Sequence, residues 1–254
     1  MSDFKSKGLS FKEEISERLL DKGEEEPFVV ARELIKQVFI GMAKMSTKYC
    51  NDTYNMCDLP YLYSERRLDS VFLPVLSKLC DSMVLTELPV RRRAIRKRGQ
   101  VNEKRGLIDY WCIYKNYSFI IELKQSFDCF QTNKTRKRKV IDPWDTMIDQ
   151  VRSVTKYAKN CEERTKGVIR IGLHIITSYS DEEPTLQLIR EFRENISNTI
   201  DRFNRKISKN RSRKPDMILC WKIPNNLIFQ QDVTYPGLWA LAKIYPPVRH
   251  RGSI

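Results

Sequence analysis

Two apolar segments separated by only two residues constrain the fold of this chain more than any other feature. Residues 107–114 and 117–125 are rich in aromatic and branched side chains, which favour β-strands. Only Lys115 and Asn116 lie between them, so the pair predicts a β-hairpin, although the turn lacks the favoured glycine. Strands that are apolar on both faces belong in the centre of a covered sheet. The hairpin therefore predicts a sheet with both faces covered.

Three charged residues interrupt this apolar hairpin: Asp109, Glu122 and Lys124. A charge on a buried strand is costly unless it is paired or bound to a metal. Glu122 and Lys124 are two residues apart and share a face. If Tyr114 pairs with Tyr117, Asp109 lies opposite Glu122, with Cβ atoms about 5 Å apart. Adjacent carboxylates repel unless a cation lies between them, and oxygen ligands favour Mg²⁺ or Mn²⁺ over zinc.

The segments around the hairpin predict the order helix, three strands, helix, strand. Residues 64–80 carry an apolar stripe at helical spacing and contain Pro74, and residues 83–90 resemble a first strand. A helix at 143–159 and a strongly apolar strand at 168–177 follow the hairpin. This order predicts an α/β fold with a mixed sheet, antiparallel in the hairpin, to which a crossover helix returns the chain.

The ends of the chain are expected to be less regular. Residues 10–21 and 27–45 look helical, and a polar connector ends near residue 60. We therefore expect a helical extension over residues 1–60 and a second domain over residues 61–254. Three further elements complete the prediction: a helix at about 185–207, a last strand at 217–223, and an irregular tail with Pro246 and Pro247.

The motif and the element order resemble the PD-(D/E)xK nuclease superfamily, which has a restriction-endonuclease-like αβββαβ core. That family carries an acid on one strand and Glu-x-Lys on the next, and Glu-x-Lys occurs only once in this chain. The resemblance covers about residues 64–177. Ile108 stands where the family often has a proline before the first acid.

The resemblance implies a metal-dependent nuclease. Asp109 and Glu122 would bind Mg²⁺ or Mn²⁺ together with the backbone carbonyl of Leu123. Lys124 would orient or deprotonate the attacking water, and the metal would polarise the phosphate. The alternative is a buried Glu–Lys pair that only serves the structure of the sheet.

The same resemblance suggests two further site residues. The family often adds an acid from the first core helix, and Glu65 is a better candidate metal ligand than Asp69; Glu87 is a weaker one. An ordinary acid in a first helical turn is the alternative for Glu65. Gln150 would face the site from the second helix, and the alternative for it is solvated helix surface. Tyr157 lies seven residues later on the same face, and the same two interpretations apply to it.

The formal net charge of +14 points to a polyanionic partner. A basic run at 91–105 enters the Asp109 strand, and another at 134–139 leaves the Glu122 strand. Both are expected to be loops that contact phosphates. A third run lies at 205–214. The residues assigned to nucleic-acid binding are Arg91, Arg92, Arg93, Arg96, Lys97, Arg98, Lys137, Arg138 and Lys139.

The expected activity is endonucleolytic cleavage of nucleic acid, with DNA favoured and RNA left open, and the resemblance suggests a role in defence against foreign DNA or in a mobile element. Two alternatives remain: a catalytically silent nuclease fold that binds nucleic acid, and a transposase-like end-cutting subunit. The intact Asp, Glu and Lys set favours the enzyme over the silent fold. A homodimer or a protein partner is left open.

The apolar runs, the N-terminus and the cysteine spacing predict where the protein is located and whether its cysteines are reduced. No run approaches the roughly 20 apolar residues that cross a bilayer, so no membrane association is expected. The N-terminus has no apolar signal-peptide core, which predicts a cytoplasmic protein. The seven cysteines lack the paired spacing of zinc or disulfide frameworks, which predicts buried free thiols.

Overall fold

The structure, a computed structural model, describes residues 2–6, 9–21, 25–51, 56–57, 59–62, 65–95, 101–131, 140–154, 165–207, 211–224, 229–230 and 232–247. The strands are β1 Ser2–Ser6, β2 Leu9–Ile15, β3 Cys50–Asn51, β4 Met56–Cys57, β5 Val84–Ile95, β6 Val101–Tyr114, β7 Tyr117–Cys129, β8 Val168–Ser180, β9 Met217–Lys222, β10 Phe229–Gln230 and β11 Val233–Tyr245. The α-helices are α1 Glu17–Asp21, α2 Glu26–Lys48, α3 Glu65–Leu79, α4 Asp142–Ser153, α5 Leu186–Glu194 and α6 Ile196–Ile207.

One large sheet organises the described chain. Its strand order is β1-β2-β9-β11-β8-β7-β6-β5, with β10 paired to β11. Strands β7 and β8 are parallel, whereas the other neighbours are antiparallel. The predicted mixed α/β sheet is therefore confirmed. The expected order of helix, three strands, helix and strand is met by α3, β5, β6, β7, α4 and β8.

Helices cover both faces of the sheet. On one face, Phe39 of α2 and Phe72 of α3 belong to the same buried cluster as Leu123 of β7. On the other face, Trp144 of α4 and Phe203 of α6 belong to a second buried cluster. The central strands are thus shielded on both sides, as their apolar composition requires.

The predicted hairpin turn is confirmed, and its two residues adopt positive φ. Lys115 has φ 47° and Asn116 has φ 64°, the conformation of a two-residue type I′ turn. Tyr114 pairs with Tyr117, which fixes the register of the whole hairpin. Glu33 of α2 supports the turn, because it accepts hydrogen bonds from the Lys115 amine at 2.5 Å and the Tyr114 hydroxyl at 2.9 Å.

The prediction of a helix over residues 10–21 is wrong for its first half. Phe11, Ile15 and Leu19 recur every four residues, which imitates helical spacing. Residues 9–15 instead form β2, in which Phe11 pairs with Trp221 of β9. The expected helical extension thus begins as two strands of the main sheet. Phe11 and Phe39 also share the buried cluster of the later strands, so packing is continuous across residue 60.

The C-terminal prediction also needs correction. Strand β9 is not the last strand, because β11 follows it and lies between β8 and β9. Pro236 obscured this strand, but it lies where the β11–β8 register shifts between Thr234 and Gly237. Proline is tolerated at such irregularities because it has no backbone N–H to donate to the ladder. The helix expected at about 185–207 is two helices, with a break at Asn195.

The cysteines divide into two groups. Cys80, Cys112, Cys129 and Cys220 are buried free thiols, as expected. Cys50 is disulfide-bonded, which contradicts the expectation for that residue. Its register partner in the small β3–β4 sheet is Cys57. Separately, no helix within the described ranges has the length and apolar character needed to cross a bilayer.

Candidate active site

The β6–β7 hairpin opens into a fork at Asp109. The paired register of the two strands runs from Tyr114↔Tyr117 to Tyr110↔Ile121, and Asp109 and Glu122 are the next residues along. Beyond this point β6 pairs with β5, whereas β7 continues beside β8. The register predicted from a two-residue turn is therefore confirmed up to Tyr110. The two acids lie at the branch of the fork.

The Asp109 carboxylate bridges the two strands where their backbone ladder stops. Its Oδ2 accepts a hydrogen bond from the Leu123 backbone N–H at 2.8 Å. A bond from a backbone N–H to a charged carboxylate is stronger than one to a neutral acceptor. The side chain is 29% exposed, so it is held by β7 and still reaches solvent.

The Lys124 ammonium lies among three oxygen atoms from three segments. Its Nζ is 2.8 Å from the Leu123 carbonyl oxygen and 3.1 Å from Glu65 Oε1. Asp109 Oδ2 is 3.9 Å away. The predicted convergence of Lys124 with Asp109 is thus met, and Glu65 joins them from the first turn of α3. The arrangement gathers anionic oxygens around one positive charge.

Asp69, one helical turn after Glu65, borders the same cluster. Its carboxylate accepts a hydrogen bond from the Tyr110 hydroxyl. Burial raises the pKa of Asp69, and the negative charges of Asp109 and Glu87 raise it further, whereas the Tyr110 hydrogen bond opposes the shift. Sequence reasoning ranked Asp69 and Glu87 below Glu65; the structure brings Asp69 within electrostatic range of both Asp109 and Glu87.

Glu122 is the most enclosed of the predicted site residues. Its side chain is 0% exposed. It pairs in register with Gly172 of the parallel strand β8. A Cβ atom at Gly172 would lie 2.9 Å from Met147 Cε, so α4 closes tightly over this part of the sheet. Asp109 and Lys124 open to solvent as expected, whereas Glu122 lies beneath the surface.

The donor set suits a hard cation. Asp109, Glu65 and the Leu123 carbonyl offer only oxygen atoms, which Mg²⁺ and Mn²⁺ prefer. Across the ranges that the structure describes, no group of three or more His, Cys, Asp or Glu side chains is arranged to hold a metal ion. The Lys124 ammonium stands among the same oxygens, so a cation bound to them would compete with it.

Two polar residues beside the site were missed by sequence reasoning. Ser126 continues the series of alternate polar residues that begins with Glu122 and Lys124 on β7. Its hydroxyl is 2.8 Å from Nε2 of His174, which is fully buried and stacks against Trp144 of α4. The alternation could have identified Ser126. His174 could not be found this way, because only the β7–β8 register places it beside Lys124.

Burial lowers the pKa of His174 to about 3, and the positive charge of Lys124 adds to this effect. The unfolded chain takes up this proton near pH 6.5, whereas the folded protein does not. The associated stability is therefore complete above pH 6.5 and is lost as the pH falls towards 3. We expect His174 to cost about 2 kcal/mol of unfolding free energy between pH 7 and pH 5.

Urea denaturation at the two pH values checks this expectation. His174→Gln should abolish most of the loss, while His250→Gln, which removes the only other histidine, should keep it. A His174 ring that titrates near pH 6.5 in an NMR experiment on the folded wild type would refute the expectation without any variant.

Gln150 is only partly exposed, although the alternative interpretation placed it on a solvated helix surface. It lies on α4, one turn after Met147, and its Oε1 atom is buried without a hydrogen-bond partner among the described residues. This placement is compatible with the predicted role facing the site. Tyr157, for which the same two interpretations were given, lies outside the described residues.

The first basic run is not a loop over its described part. Arg91, Arg92 and Arg93 belong to β5, and their register partners are Arg105, Lys104 and Glu103 of β6. The run therefore forms a two-stranded ribbon that leaves the sheet at the fork. The other assigned residues lie outside the described residues: Arg96, Lys97, Arg98, Lys137, Arg138 and Lys139.

Comparison of the chain with models of known protein families, with curated proteins and with solved structures gives no match. The case for a function therefore depends on the geometry of the fork and on the chemistry of its residues.

Proposed function

We propose that this protein is a Mg²⁺-dependent endonuclease of the PD-(D/E)xK type that hydrolyses phosphodiester bonds of DNA. One observation carries the proposal: the Lys124 amine meets Asp109, Glu65 and the Leu123 carbonyl at the fork of β6 and β7. Buried or half-buried ionisable groups that converge on an open edge are typical of catalytic sites. The basic ribbon beside the fork supplies the charge that a polyanion requires.

Each residue has a definite task in this proposal. Asp109, Glu65 and the Leu123 carbonyl would hold Mg²⁺ or Mn²⁺, and Glu122 would join them from below. The ion would polarise the phosphate and acidify a bound water. Lys124 would orient the attacking water and stabilise negative charge on the phosphate. Its hydrogen bond to Glu65 holds it next to the acids in this structure.

A structural role for the charged cluster is the main competing interpretation. A cluster of this kind could serve only to join α3 to the sheet, because ion-pair networks also perturb pKa values. Two features favour catalysis. The lysine and its acids are 21–42% exposed rather than sealed in the core. The described β6–β7 ladder also ends beside Asp109, whose side chain accepts a hydrogen bond from the Leu123 N–H.

The second candidate function is a catalytically silent nuclease fold that binds nucleic acid. The observation in its favour is that, in the described part of the chain, no group of three metal-ligating side chains is already arranged. Both candidate functions use the basic ribbon to bind nucleic acid, so a binding measurement alone does not distinguish the enzyme from the silent binder. Metal-dependent cleavage does.

Incubation of the purified protein with plasmid, linear DNA and RNA, in Mg²⁺, Mn²⁺ or EDTA, tests the proposal. We expect DNA cleavage that needs a divalent ion and stops in EDTA. Asp109→Asn should lower the rate at least about a hundredfold and weaken Mg²⁺ binding measured by calorimetry. The matched control is Asp181→Asn, an exposed acid in the turn after β8, which should cleave like the wild type. Binding of DNA without cleavage under any metal would favour the silent binder.

A further inference from the structure

Among the residues that the structure describes, the two strands beyond the fork pair only with each other and form a two-stranded ribbon. The β5–β6 register runs from Pro89↔Leu107 outward to Ile95↔Val101. Over these residues neither strand pairs with β7, because the β6–β7 register ends at Tyr110. An isolated two-stranded hairpin is only marginally stable in water. The ribbon therefore gains little from the sheet that it leaves.

The sequence of the ribbon is strongly basic. Arg91 is the register partner of Arg105, and Arg92 is the register partner of Lys104. Like charges directly opposite each other on neighbouring strands are destabilising. The fourteen residues of 89–95 and 101–107 contain five bases and a single acid, Glu103. An anionic partner that lay against the ribbon would offset this excess of positive charge.

The dimensions of the ribbon match a groove of duplex DNA. The major groove of B-form DNA is about 12 Å wide and admits a two-stranded β-ribbon. The nine residues from Val101 to Asp109 span eight intervals, which reach about 26 Å at 3.3 Å per residue. That length corresponds to about 8 base pairs at 3.4 Å each. The major groove of duplex RNA is deep and narrow and excludes such a ribbon.

We infer that the β5–β6 ribbon enters the major groove of duplex DNA beside the bond that is cut. This inference rests on the proposed function for its choice of DNA, and it adds the substrate class: duplex, B-form and bound from the major groove. The fork ties the two together, because Asp109 is both a site residue and the base of the ribbon. A duplex held by the ribbon would thus pass next to Lys124.

Equilibrium binding to labelled duplex DNA in EDTA tests the inference without any cleavage. We expect methyl green, which occupies the major groove, to compete with the protein, and netropsin, which occupies the minor groove, to leave binding unchanged. Single-stranded DNA and duplex RNA should bind at least about tenfold more weakly.

The double variant Arg91→Ala/Arg105→Ala should reduce the slope of log affinity against log salt by about 1.8. The control Lys5→Ala/Arg190→Ala removes the same charge from exposed residues on β1, at the opposite edge of the sheet, and on α5, and should keep the wild-type slope. Circular dichroism at matched temperature verifies that both variants are folded. Should the ribbon variant lose binding by unfolding, the two dye competitions on the wild type still decide the matter.

The outcomes separate the two proposals. Duplex binding with methyl green competition but no cleavage in Mg²⁺ or Mn²⁺ would leave the major-groove binding of the ribbon standing and overturn the nuclease. Cleavage that netropsin inhibits and methyl green does not, or equal binding of duplex RNA, would overturn the ribbon inference and leave the nuclease standing. An unchanged salt slope in the folded ribbon variant would also overturn the inference.

Discussion

Lys124→Met should reduce the rate of DNA cleavage at least about a thousandfold while leaving DNA binding nearly unchanged. Methionine keeps the aliphatic stem but removes the charge that orients water and stabilises the phosphate. The ammonium also competes for the oxygens of Asp109, Glu65 and Leu123. The variant should therefore bind Mg²⁺ at least as tightly as the wild type. Single-turnover cleavage and calorimetric Mg²⁺ titration measure the two effects.

Lys166→Met is the matched control for this variant. Lys166 is also a surface lysine paired with a glutamate, Glu26, at 2.5 Å, but it lies two residues before β8, away from the fork. It should change cleavage less than about twofold. A Lys124→Met protein that cuts DNA at the wild-type rate would remove this residue from the mechanism. One that loses Mg²⁺ binding would instead assign the lysine to the arrangement of the acids.

Asp216→Asn should lower the free energy of unfolding by about 3–5 kcal/mol. The Asp216 carboxylate is 1% exposed and accepts hydrogen bonds from the Lys243 amine at 3.0 Å and the Ile244 N–H at 2.9 Å. Arg18 Nη1 reaches both of its oxygens at 3.0 and 3.1 Å. Burial lowers the pKa of Lys243, and the Asp216 charge opposes that shift. Without the carboxylate, the buried Lys243 amine loses its counter-charge.

Urea denaturation measures this loss, and a second variant tests its cause. The double variant Asp216→Asn/Lys243→Met should recover part of the stability, because no uncompensated buried charge remains. Asp181→Asn, at an exposed site, should change stability by less than about 0.5 kcal/mol. A loss below about 1 kcal/mol in Asp216→Asn would contradict the expectation. An unrecovered double variant would assign the cost to Arg18 or to the Ile244 hydrogen bond.

The parts of the site that were predicted from sequence are those that local chemistry determines. The spacing of Lys115 and Asn116 fixes the hairpin register, and side-chain alternation then relates Asp109 to Lys124. Glu65 could be proposed because it opens α3, the helix that precedes the hairpin. In each case a few neighbouring residues carry the information. The function that these residues suggest remains a prediction.

The parts that were missed depend on contacts between residues far apart in the chain. Residues 9–15 form a strand because β9, more than two hundred residues later, pairs with them. Helical spacing of Phe11, Ile15 and Leu19 is a local signal that this pairing overrides. His174 lies beside Lys124 through the parallel β7–β8 register. No local pattern around His174 indicates that neighbour.

The placement of β11 has a consequence for how the chain assembles. Strands β5 to β8 form one group, strands β1, β2 and β9 form another, and β11 joins them by pairing with both β8 and β9. Until residues 233–245 have been synthesised, β8 presents an open, largely apolar edge, which can pair with other chains. Long-range pairing of this kind slows folding and prolongs exposure of such edges. The forked hairpin is thus complete in sequence well before the strand that secures its sheet, and the two groups of strands cannot be joined until β11 has formed.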